Sequence, residues 1–272
     1  TFGLMRSLGI EPRENFDALR LGYELINSFS VNKLGSKKIT FFTTGTVALT
    51  YPELLQEIAN DGHEISCHYH YHDLMFKQSN DEIDKNLGLA KNALFKACGY
   101  EPKGFRAPVF SIPKERTDIF KVIEKHFDYD SSYVLYLNKY SKEDYFQEPP
   151  FTLDNLQEFP IVPKPFFNER VSIKSGGTFL RLYTKDMMRQ AMMFNHEQGF
   201  IPMVYMHPYD YLVNKEFWVP LSDFLKSKKI SNLLKYPRQL QWTGLRNKTV
   251  FPKIEYILES FDHQGPMSNL LK

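Results

Sequence analysis

The order of apolar and amphipathic segments in this 272-residue chain predicts an α/β fold of repeated βα units on a parallel sheet. Three observations carry that expectation. Short apolar runs alternate with amphipathic stretches through the first half, helix stop signals fall between them, and no fixed-period repeat or low-complexity linker divides the chain. One continuous domain over 1–272 is expected, with an irregular insertion at about 138–170 and a C-terminal helical extension at about 215–272.

Phe16, Leu19, Tyr23 and Ile26 recur at helical spacing, and Lys38 to Thr43 then reads as a strand ending at Gly45. Pro52 opens a helix through Leu54, Leu55 and Ile58 to the Asp61-Gly62 stop, and His63 to His68 returns as a strand. Ser79 with Glu82 forms a capping box for a helix carrying Ile83, Leu87, Ala90 and Leu94 to Gly99. Gly104-Phe105-Arg106 is the next strand, Pro113 opens another helix, and Phe127 to Tyr136 is β-like. From Asn138 to Arg170, prolines and aromatics without a clean period predict loops and short strands. Order returns at Thr178 to Leu182 after Gly176-Gly177, followed by a helix over Asp186 to Glu197 and a strand over Ile201 to Met206. Helices near Leu221 to Lys226 and Lys253 to Phe261 close the chain.

Composition excludes several classes. With 42% hydrophobic and 15% aromatic residues, the chain can bury a core and is not disordered. A formal charge of +2, from 34 basic and 32 acidic residues, leaves no basic footprint for nucleic acid. No apolar run approaches the ~20 residues that span a bilayer, and the first residues lack the pattern of a signal peptide. Two cysteines, Cys67 and Cys98, are too few for a disulfide framework and fit a reducing compartment, the cytoplasm or the inner face of its membrane.

The densest chemical signal is the stretch His63 to Asp73, which places four of the eight histidines, His63, His68, His70 and His72, within ten residues. Imidazole is the commonest metal ligand. On an extended strand His68 and His72 would sit ~13 Å apart at ~3.3 Å per residue. Zinc bonds of ~2.0–2.1 Å do not span that distance. If the chain bends into a helical turn after His68, the pair comes within ~6 Å and can share an ion while His70 points elsewhere. Hydrogen-bonded histidines at a surface strand end are the simpler alternative. Cys67, opposite His68 on the strand, belongs to the core. Arg106 is a strand-end arginine that cannot easily be buried unpaired, and a surface arginine before a turn is the favoured reading of this segment alone. His207 ends an apolar strand just before Pro208, where βα barrels gather catalytic groups.

In this order the segments resemble the NodB-homology polysaccharide deacetylases. The carrying residues are Ile39 to Phe42, Gly62-His63-Glu64-Ile65 followed by His68 and His72, Phe105-Arg106-Ala107-Pro108, and His207. Finer matches resemble the branch found in exopolysaccharide and surface-glycan loci: Phe105 to Ile112, Tyr129 to Ser132, Glu158-Phe159-Pro160, Ser175 to Phe179 with Arg181-Leu182, and His207-Pro208 with Asp210. The resemblance implies a distorted (β/α) barrel binding one divalent ion, usually zinc, and hydrolysing the N-acetyl group of an amino sugar in a polysaccharide or lipid-linked glycan. It implies His68 and His72 as metal ligands, Arg106 as the residue orienting the general base, His207 as the general acid, and the backbone N–H of Val109 as an oxyanion donor.

The family's first motif, an aspartate pair ending the first strand, has no counterpart before Ile39; Asp17 lies in a helical run. In related deacylases of lipid-linked sugars such aspartates immediately precede Thr-Phe, and this chain begins Thr1-Phe2, so the first strand and its carboxylates are expected upstream of Thr1. Asp73 or Asp210 could substitute for the carboxylate, with nothing in the sequence selecting either. Two other readings stand: a non-catalytic glycan-binding or assembly protein on the same fold, and a hydrolase of another C–N amide such as a formamide or cyclic ureide.

Overall fold

The computed structural model describes residues 5, 8–9, 17–135, 155–166, 171–226 and 235–272. The chain forms two compact units. A sheet unit comprises Lys37–Ser172, Gln198–Ile201 and Gln264–Lys272; a helical unit comprises Thr1–Ser36, Ile173–Glu197 and Pro202–His263. After α1 (Asp17–Lys33) the chain enters the sheet unit, which holds β1 (Thr40–Thr43), α2 (Gly45–Thr50), α3 (Pro52–Asn60), β2 (Glu64–Cys67), α4 (Asn80–Cys98), β3 (Gly104–Phe105), α5 (Asp118–Ile123), β4 (Tyr129–Asp130) and β5 (Gln157–Glu158).

Strands β1 to β5 form one parallel sheet in sequential order, as a chain winding in one direction around a barrel would place them. The described residues thus have the expected α/β fold on a parallel sheet. Helices bridge the strands for reasons visible in the sequence. Thr44 caps α2, Pro52 opens α3, and the Ser79–Glu82 box starts α4, which ends at Gly99 in the left-handed conformation. The α4 face of Ile83, Leu87, Ala90 and Leu94 is buried. Gly104 is required by a close approach, because a Cβ there would lie 1.9 Å from the Tyr129 ring.

Register decides where the functional side chains emerge. Thr43 pairs with Cys67, Cys67 with Phe105, Phe105 with Asp130, and Asp130 with Glu158. The strands therefore end level, and the residues that follow, His68, Arg106, Ser131 and Phe159, leave from the same carboxyl edge. Downstream, β6 (Lys164–Phe166) and β7 (Val171–Ile173) make a separate two-stranded sheet. The expected loops at 138–154 and 167–170 lie outside the described residues.

The helical unit contains α1, α6 (Gly177–Leu182), α7 (Lys185–Glu197), α8 (Pro208–Tyr211), α9 (Leu221–Lys226), α10 (Lys235–Gln239) and α11 (Val250–Leu258). Helix α1 buries Ala18, Tyr23, Ile26 and Phe29, and Phe29 stacks on Phe251 with centroids 4.6 Å apart. Two expectations are corrected. Ile201 to Met206 is extended but not a full strand, with one parallel bridge between Tyr205 and Gly176. The last helix begins at Val250 rather than Lys253, since Pro252 in its first turn gives up an N–H that would have no helical partner.

Candidate functional site

The β2 strand is buried throughout, and its last residue, Cys67, lies in the core with its thiol pushed up to about 12 by burial. The chain then bends. Tyr69 and His72 take positive φ values of 68° and 62°, and the His68 and His72 rings come to 5.0 Å between centroids at 74°. The extended alternative is excluded, and the bend is made by left-handed residues rather than a helical turn. Positive φ is strained for a bulky aromatic. Tyr69 is held there by complete burial and by its hydroxyl, which donates to Gln78 and accepts from Asn86. Backbone bonds fasten the bend to β1 and α2: His68 N–H to Thr43 oxygen at 2.8 Å and Gly45 N–H to Tyr69 oxygen at 2.9 Å. His70 turns the other way, into a pocket where a Cβ on Gly45 would lie 2.2 Å from its Nδ1. The His70 Nδ1 is buried without a hydrogen-bond partner among the described residues.

His68 Nδ1 lies 2.7 Å from the backbone oxygen of Arg106. A carbonyl oxygen only accepts, so Nδ1 carries the proton and Nε2 is the basic nitrogen, the arrangement by which proteins orient a metal-binding imidazole. Arg106 is buried, not a surface arginine. Its Nε donates to Ser131 oxygen at 3.1 Å, its Nη2 to Ser131 Oγ at 2.7 Å, and its guanidinium lies 4.3 Å from the Phe42 centroid. Next to it, Ala107 N–H donates to Ser132 Oγ, which donates to Asp130 Oδ1, both at 2.7 Å. Val109 and Phe110 both have positive φ, 57° and 52°, and Val109 is exposed. The amides of Phe110 and Ser111 are used within this turn, whereas the Val109 amide has no acceptor among the described residues.

The Asp130–Glu158 pair at the ends of β4 and β5 carries a chemistry the sequence did not disclose. Tyr129 to Ser132 and Glu158 to Pro160 stood out only as matches to a family branch. Burial, together with the Asp130 charge, raises the Glu158 carboxyl well above the ordinary range, and burial raises Asp130 as well. The two residues are paired in register across β4 and β5, and Glu158 Oε2 is buried without a hydrogen-bond partner among the described residues.

Among the described residues, no group of three or more His, Cys, Asp or Glu could hold a metal ion, so neither Asp73 nor Asp210 completes the His68–His72 pair. Asp210 is committed elsewhere. In the helical unit His207 caps α8, and its Nδ1 lies 3.0 Å from Asp210 Oδ2, which also accepts the His207 N–H at 2.8 Å. Asp210 Oδ1 accepts from Arg181 Nε at 2.8 Å, and both of those side chains are fully buried. Burial opposes the Asp210 charge, but the His207 bonds and the His207 and Arg181 charges outweigh it and hold the carboxyl below its usual range.

Comparison with known proteins bears on the fold and the sequence family. Residues 31–125 match the polysaccharide deacetylase family model, and residues 131–259 match a domain of unknown function, DUF3473. Residues 31–125 are thus similar to a polysaccharide deacetylase domain. It is 35% identical over 71 residues to a peptidoglycan-N-acetylglucosamine deacetylase of Bacillus cereus, a stretch covering 26% of each protein. The chain therefore spans about a quarter of that relative's length. In fold it is similar to a polysaccharide deacetylase-family structure from Mycobacterium smegmatis, with a TM-score of 0.54, 18% identity, and 92% of this chain and 75% of the other covered. It is also similar to a family 4 carbohydrate esterase pseudoenzyme from Bacillus anthracis, with a TM-score of 0.50, 15% identity, and 92% and 61% covered.

Proposed function

We propose that the protein is a metal-dependent carbohydrate N-deacetylase that hydrolyses the acetamide of an amino sugar in bacterial surface-polysaccharide biosynthesis. The observation that carries this reading is the adjacent His68–His72 pair, with the His68 tautomer set by the Arg106 carbonyl. These residues fit two ligand positions of a divalent ion, zinc by preference. When bound, such an ion polarises the acetamide carbonyl and acidifies water. The chain's own residues do the rest: Arg106 orients a carboxylate base, the Val109 N–H donates to the developing oxyanion, and His207 protonates the leaving amine. The substrate is an N-acetylated polysaccharide or lipid-linked glycan met on the cytoplasmic side, and the surface-glycan setting rests on the finer motif matches.

Incubation of the full-length protein with zinc and N-acetylglucosamine oligomers tests this: stoichiometric zinc and released acetate are expected. Oligosaccharide binding without zinc or acetate would instead favour a glycan-binding protein on the same fold. The absence of a three-ligand group among the described residues is the observation on that side.

A further inference from the structure

Arg181 has no role in the reading above, yet it is the largest completely buried side chain among the described residues. Burial of a guanidinium is costly unless its donors are met. Here Nε–H reaches Asp210 Oδ1 at 2.8 Å, Nη1 reaches Leu245 oxygen at 3.0 Å, and Nη2 reaches Thr178 Oγ1 at 3.2 Å and the Trp242 oxygen. The backbone carrying it is pinned as well, because Lys253 Nζ donates to the Leu180 and Arg181 oxygens at 2.8 and 2.7 Å, closing the end of α6. A guanidinium enclosed on every side does not reach a substrate. What it touches is Asp210, whose other oxygen holds His207 through both the backbone N–H and Nδ1. With a separate partner on each oxygen, the carboxylate cannot rotate.

We infer that Arg181 is a positioning residue that fixes and moderates the proton-donating behaviour of His207 through Asp210. A buried carboxylate facing only an imidazole would hold the imidazolium proton tightly, and an acid that holds its proton tightly is a poor donor. Arg181 shares the Asp210 charge and so weakens the hold of that carboxylate on the His207 proton. The other titratable groups around Asp210 are Tyr205, Tyr209 and Tyr211, with Lys253 and Arg246 beyond Arg181. Tyr209 also stacks on the His207 ring at 4.7 Å, fixing its plane. The inference rests on His207 as the general acid, but its structural half can be read without activity.

The test is nitrogen-edited NMR of the full-length protein as a function of pH, beside the pH profile of acetate release. In the wild type, the Arg181 Nε–H resonance should move in step with the His207 ring nitrogens, because both bond one carboxylate. In Arg181→Met the His207 titration should move up by about one to two pH units, with the alkaline limb of acetate release following it, and Arg181→Lys should recover part of the shift. An Arg181 resonance blind to His207 titration, or a folded Arg181→Met with an unchanged His207 titration, overturns the inference. The wild-type measurement decides it even if Arg181→Met does not fold. If His207 shifts while the alkaline limb does not, the Arg181 linkage stands and the role of His207 as the acid fails.

Discussion

His68 donates its Nδ1 proton to the backbone oxygen of Arg106 across 2.7 Å, so the residue following β3 sets which nitrogen of the imidazole after β2 is basic. His68 and His72 then act as a pair, and loss of either should remove more zinc affinity than the ~10–100-fold cost of losing an outer hydrogen-bond partner. Metal analysis of His68→Ala and His72→Ala checks this, and a variant retaining stoichiometric zinc contradicts the ligand assignment.

His207→Ala should behave differently. Its side chain is held by Asp210 and Tyr209, and because it is the proposed general acid rather than a metal ligand, its loss should leave zinc in place while acetate release falls by roughly 10²–10⁴. Loss of zinc together with activity would show that His207 acts in metal retention instead.

Val109 is exposed yet holds φ at 57°, where a β-branched residue is strained by about 1–2 kcal/mol. Val109→Gly relieves that strain against ~0.5–1 kcal/mol of added backbone entropy in the unfolded chain. Denaturant midpoints should be unchanged or slightly higher, and a loss above about 1 kcal/mol would mean the side chain is needed to hold the turn.

His63 is buried and accepts the Ile39 N–H at 3.2 Å, and burial, with the Lys38 charge beside it, pushes its imidazole down to about 4. The native state therefore keeps it neutral where the unfolded chain protonates it. Stability from this residue is complete above pH 6.5 and is lost as pH falls from there toward 4, by up to about 3 kcal/mol. His63→Gln, which keeps an acceptor, should flatten that segment of the stability–pH curve.

Glu158 should show the opposite sign. Its carboxyl keeps a proton in the native state that the unfolded chain releases above the ordinary glutamate range, so stability falls as pH rises. Glu158→Gln supplies a neutral donor to Asp130 and should raise stability at pH 7 relative to pH 5. A variant destabilised equally at both values would show that the pair is ionised.

The alternation of strands and helices, the capping box of α4, the Pro52 helix start and the core position of Cys67 were legible in the sequence because each depends on local spacing or backbone chemistry. The short helix α2 was not foreseen. The candidate site residues were named from motif order alone. What the tertiary structure decided was contact. The left-handed bend at Tyr69 and His72, which joins two imidazoles that an extended strand would separate, needs burial and long-range bonds to hold its strain. Arg106 taken by itself read as a surface arginine, and only the placement of Ser131 and Phe42 around it showed that it is buried. Asp210 looked like an available carboxylate and is instead fully engaged by Arg181 and His207. Asp130 and Glu158 stand twenty-eight residues apart and became neighbouring buried carboxyls only through the register of β4 and β5. Local propensity determines where elements start and stop, whereas the charge and partners of a buried group depend on what the fold brings against it from distant parts of the chain.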